Sequence, residues 1–128
     1  MLRLIARCAS ALTLLLIMTG ATVEAPAQVR ILDEFDDLSS WRSLASDGVS
    51  ASLKSAPGVE QGSSMLLDFD FNRTAGYAAA TRSLAVELPE DYEISFWMRA
   101  NAGRNNLEIK FVDASGENVW WFRRANYS

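Results

Sequence analysis

The sequence predicts an all-β fold, an antiparallel β-sandwich, and three observations point to it. Several short segments alternate apolar with polar residues, which is the pattern of a strand with one buried face. Gly, Pro, Asn and Ser separate those segments at short intervals, where the chain must turn. The chain has 128 residues, room for one domain and little more.

The domain is not expected to start at Met1. Arg3 and Arg7 precede an apolar run over residues 9–18 (ASALTLLLIM), and Ala25-Pro26-Ala27 puts small residues at both critical cleavage positions. A positive start, a short apolar stretch and A-x-A in that order read as a secretory signal peptide over 1–27. The apolar stretch is well short of the roughly 20 residues a spanning helix needs, so no stable membrane insertion is expected after cleavage. The product is expected to be secreted or periplasmic, with residues 28–128 as the sandwich module.

Residues 28–128 hold ten basic and fifteen acidic side chains, a formal charge of −5. Such a mildly acidic chain without basic runs is a poor partner for nucleic acid or an anionic membrane. Cys8 is the lone cysteine and leaves with the leader, and the chain has no histidine. Disulfides, thiol nucleophiles and the usual nucleophile–base pairs are thereby excluded from the module.

The first expected strand is 29–35 (VRILDEF), running into the acidic cluster Asp33, Glu34, Asp36 and Asp37. Ser39-Ser40-Trp41 reads as a turn whose indole returns to the core. Residues 49–55 (VSASLKS) alternate weakly before the break at Pro57-Gly58. Residues 65–71 (MLLDFDF) put Met65, Leu67, Phe69 and Phe71 on one face, with Asp68 and Asp70 on the other. Residues 77–88 are expected to contain a further strand, with an Ala-favoured helix over 77–84 as the alternative. Residues 92–100 (YEISFWMRA), 106–113 (NLEIKFVD) and 119–122 (VWWF), the last two joined by a turn at 114–118, complete about seven strands.

Three residue clusters are candidates for chemistry. The polar face of 92–100 carries Trp97 among Glu93, Ser95 and Arg99, and the polar face of 106–113 carries Glu108 and Lys110. A solvated face rarely needs a large aromatic, and an indole offers a flat apolar surface to the C–H face of a sugar. Trp97, Arg99, Glu108, Lys110 and Trp120 are therefore the expected carbohydrate-binding set, against the alternative that the indoles belong to the core. Trp120 and Trp121 point to opposite faces, so one of the two is expected to be buried; parity alone leaves open which.

Asp33, Glu34, Asp36 and Asp113 could supply oxygens to calcium, although a solvated acidic turn is the favoured reading and the spacing is not an EF-hand loop. Asp68 and Asp70, about 6.6 Å apart along a strand, have a spacing compatible with a glycosidase pair. Any half-exposed strand produces the same pattern, so no catalytic residue is expected. Asn72-Arg73-Thr74 and Asn126-Tyr127-Ser128 match glycosylation acceptors but carry little weight.

Residues 33–41 (DEFDDLSSW), the strand LLDFDF and above all 105–121 (NNLEIKFVDASGENVWW) resemble the N-terminal part of a bacterial secreted module. That module belongs to the galactose-binding-domain-like superfamily of jelly-roll sandwiches, related to carbohydrate-binding modules. It often lies ahead of discoidin-type or glycoside hydrolase domains. The resemblance implies binding of a polysaccharide or oligosaccharide, a possible structural calcium, and further strands and domains beyond Ser128. The expectation is a noncatalytic carbohydrate-binding module of an exported protein. The alternatives are a structural or protein-interaction sandwich without a sugar site, and the leading part of a secreted glycoside hydrolase.

Overall fold

Nine strands and no helix make up the described part of the chain, residues 2–7 and 28–127 of a computed structural model. In chain order they are β1 (Leu2–Arg7), β2 (Gln28–Asp33), β3 (Arg42–Ala45), β4 (Ser50–Pro57), β5 (Ser63–Asp70), β6 (Ala78–Thr81), β7 (Asp91–Phe96), β8 (Asn105–Val112) and β9 (Val119–Tyr127). All pairings are antiparallel, and the chain is all-β. It divides into two compact units, Met1–Trp97 and Met98–Ser128.

In the first unit β1 lies between β2 and β7 in a three-stranded sheet, while β3 pairs with β6 and β4 with β5. The β3–β6 ribbon contacts both β4 and β5. The β4–β5 register sets Leu53 opposite Leu67, Ala51 opposite Phe69 and Ser55 opposite Met65. The alternation read for Met65, Leu67, Phe69 and Phe71 holds, since these four are half-buried while Asp68 and Asp70 are exposed. The rings of Phe69 and Phe71 meet edge to face at 5.5 Å, a favoured aromatic geometry. Between β3 and β4, Val49 N–H donates to Ser46 C=O at 3.0 Å, and Gly48 takes a φ of 80° that a side chain would resist. The reversal after β5 has positive φ at both Asn72 and Arg73 and is closed by Thr74 N–H donating to Phe71 C=O at 2.7 Å.

The second unit is the β8–β9 ribbon. Its loop is closed by Asp113 N–H donating to Asn118 C=O and Gly116 N–H donating to Asp113 C=O, both at 3.1 Å.

Several sequence expectations need correction. Strands β1 and β3 were not expected. The strand of 77–88 is confined to Ala78–Thr81, and no helix forms there. The strand expected over 92–100 ends at Phe96, so Trp97 and Arg99 are not strand residues. Of the expected leader, residues 8–27, including the apolar run and Ala25-Pro26-Ala27, lie outside the described residues. Its first residues form β1.

Candidate functional site, a polar ribbon face

The β8–β9 register decides which side chains share a face. Glu108 lies opposite Arg123, Lys110 opposite Trp121 and Val112 opposite Val119. Directly opposed residues project to the same side, so these six form one face of the ribbon. The other face carries Leu107, Ile109 and Phe111 of β8, with Arg124, Phe122 and Trp120 opposite them. Glu108, Lys110 and Val112 are exposed, whereas Leu107, Ile109 and Phe111 are half-buried.

On the first face the side chains are already in contact. Lys110 Nζ lies 4.4 Å from the centroid of the Trp121 ring, a cation–π distance. Glu108 pairs with Lys110 at 3.4 Å and with Arg123 Nε at 3.7 Å. All of these groups are exposed, so the pairs are weak and rearrange readily. The face therefore combines a flat apolar plate, 57 % exposed, with a carboxylate acceptor and two cationic donors.

Trp121 thus takes the position expected of Trp120. Trp120 shares the side of Phe111 and Phe122 instead, and at 51 % exposure it is not buried either. The expectation that one of the pair is buried fails: a two-stranded ribbon has no second layer within its own unit to cover an indole. Trp121 and Arg123 are the residues that sequence reasoning missed. Trp97, at 75 % exposure the most open of the four tryptophans, lies just past β7 at the end of the first unit. Arg99 is exposed on irregular chain in the second unit.

The acidic residues are placed differently. Asp33 is 8 % exposed, and its carboxylate accepts from Phe35 N–H at 2.7 Å and from Trp41 Nε1–H at 2.8 Å. It also forms an ion pair with Arg82. Trp41 packs its ring 5.7 Å from Phe35. Glu34, Asp36, Asp37, Ser40 and Arg82 line an open cleft of about 420 Å³ beside Asp33. Asp113 belongs to the second unit and is held in its own turn. It accepts from Asn118 Nδ2 at 2.6 Å, Ser115 Oγ at 2.7 Å and Gly116 N–H at 2.9 Å. Those bonds, from Asn118 first and then Ser115, lower its pKa to about 2. Among the described residues no group of three or more acidic or other ligating side chains is gathered to hold a metal ion. Asp68 is paired with Lys54 at 2.5 Å, the ordinary arrangement of an exposed strand face.

No family model matches the chain, and no curated protein or solved structure matches it.

Proposed function

We propose that this chain is a noncatalytic carbohydrate-binding module of an exported protein, built as a galactose-binding-like jelly-roll sandwich. The single observation that carries the reading is the exposed Trp121 indole, framed by Glu108, Lys110 and Arg123 on one ribbon face. A sugar ring has an apolar C–H face and a rim of hydroxyls. The indole suits the first, and the charged groups suit the second through charge-assisted hydrogen bonds. Lys110 is held over the ring only by exposed contacts, so it can leave the ring for a hydroxyl at little cost. Trp97 and Arg99 are further candidates for sugar contact, each exposed.

The test is retention on a panel of immobilised polysaccharides. Trp121→Ala should abolish retention while leaving the melting temperature nearly unchanged, because an exposed indole contributes little packing. A buried indole would instead cost about 3–5 kcal/mol. No retention of the unaltered chain on any polysaccharide rejects the sugar-binding reading, and retention that survives loss of Trp121 rejects this ribbon face as the site. The opposite ribbon face favours a second reading, a protein-interaction module, because Trp120 and Phe122 are both about half exposed there.

A further inference from the structure

Charge is divided unevenly between the two units. Residues 28–97 hold five basic and twelve acidic side chains, a formal charge of −7, whereas residues 98–128 hold five basic and three acidic, a formal charge of +2. An acidic chain thus carries its ribbon as a patch of the opposite sign, and such a patch favours partners of complementary charge. Two of the three acids in the ribbon unit belong to the loop. Asp113 is taken up there by Ser115, Gly116 and Asn118, which donate to its carboxylate, and Glu117 follows in the same turn. Glu108 is the one acidic residue on β8 and β9 themselves.

Glu108 is shared by two cations and holds neither closely. It stands 3.4 Å from Lys110 Nζ and 3.7 Å from Arg123 Nε, both beyond the roughly 2.7–3.2 Å of a hydrogen bond. The face that carries Trp121 therefore keeps a net positive charge. A sugar that stacks on this indole must first displace Lys110, which lies 4.4 Å over the ring. A neutral sugar offers the displaced ammonium only a hydroxyl, whereas an acidic sugar offers an opposite charge. Arg123 lies two residues from Trp121 on the same face, about 6.8 Å along the strand. A carboxylate on the rim of a stacked ring, followed by a charge-assisted bond of about 2.8 Å, covers that span, and the guanidinium fork accommodates both of its oxygens.

We infer that this face is selective for acidic sugars of the uronic acid class. The ring stacks on Trp121, and its carboxylate takes the place between Arg123 and Lys110 that Glu108 now fills loosely. The inference rests on reading the ribbon face as a sugar site.

Polygalacturonate and its fully methyl-esterified form share one backbone and differ in the carboxylate, so binding of the whole chain to the two tests the selectivity. The acid form should bind about tenfold or more tighter at low salt, and the margin should narrow as salt rises. Glu108→Gln removes the competing carboxylate and should strengthen binding to the acid form severalfold, with little change on the ester. Arg123→Gln should bring the acid form down to the level of the ester. Equal binding of acid and ester, a preference that survives Arg123→Gln, or weaker acid binding by Glu108→Gln overturns the inference. In those cases the sugar site itself still stands if Trp121→Ala abolishes binding to both polymers. No retention on either polymer or on any neutral polysaccharide rejects the sugar reading and this inference with it. Dextran sulfate or single-stranded DNA bound as tightly as polygalacturonate would make the face a general polyanion surface, which also overturns the uronic acid assignment.

Discussion

Asp33 holds three partners on two oxygens, and they come from different stretches of chain: the Phe35 amide, the Trp41 indole and the Arg82 guanidinium. The same cluster keeps Phe35 at a φ of 63°, a left-handed conformation costly for an aromatic residue. It also buries Arg82 Nε with no hydrogen-bond partner among the described residues, a further cost that the charge pair has to offset. Removing one member of a buried pair strands the other, so Asp33→Ala should cost about 3–5 kcal/mol in urea unfolding. Asp37 is a few residues along and accepts, among the described residues, from Ser39 on the surface, so Asp37→Ala should leave the urea midpoint nearly unchanged. Equal costs at the two positions would mean that the Asp33 cluster contributes nothing beyond a surface turn.

At the scale of the element, the β8–β9 hairpin shows how one residue of loop length decides a site. Alternation in 106–113 is legible in the sequence, and it correctly puts Glu108 and Lys110 opposite in sense to Leu107, Ile109 and Phe111. Which Trp joins them depends on the partner strand, where a slip of one residue moves every side chain to the other face. A five-residue turn over 114–118 would set Trp121 opposite Phe111. The observed loop takes in Asp113 as well and sets Trp120 there. Asp113 is the residue that sets this length, since its carboxylate gathers Ser115, Gly116 and Asn118. Its pKa falls from 3.8 in the open chain to about 2 in the loop. The support it lends is therefore complete above the open-chain value and disappears as pH falls through about 2. An NMR titration should find the Asp113 carboxyl midpoint near 2. A midpoint at the ordinary value would mean the carboxylate does not hold the loop.

For the whole molecule, alternation and turn residues identify an all-β chain and locate most of the strands. They are silent where neither signal exists. β3 is four exposed residues without alternation, and β6 is three alanines and a threonine whose strand state comes from pairing with β3. Long-range pairing also explains β1, since residues 2–7 read as a charged leader start but find two open strand edges. Export should remove residues 1–27, and mass spectrometry of the exported protein should find Gln28 or a near neighbour at its N-terminus. An intact Met1 in a membrane fraction would reject the leader.

The composition of β9 bears on how the protein behaves at high concentration. Among the described residues this strand is bonded along one side only, to β8, and its first four residues are Val-Trp-Trp-Phe. An exposed aromatic strand with a free edge is the kind of segment that stacks copy upon copy into fibrils. Arg123 and Arg124 follow directly, two like charges that repel their counterparts in a neighbouring copy and act as gatekeepers. Replacing both with serine should shorten the lag before thioflavin-positive aggregates form, and high salt should do the same to the unaltered chain by screening the repulsion. Arg123 would then have two duties, contact with a ligand on one face of the ribbon and protection of its edge from self-association.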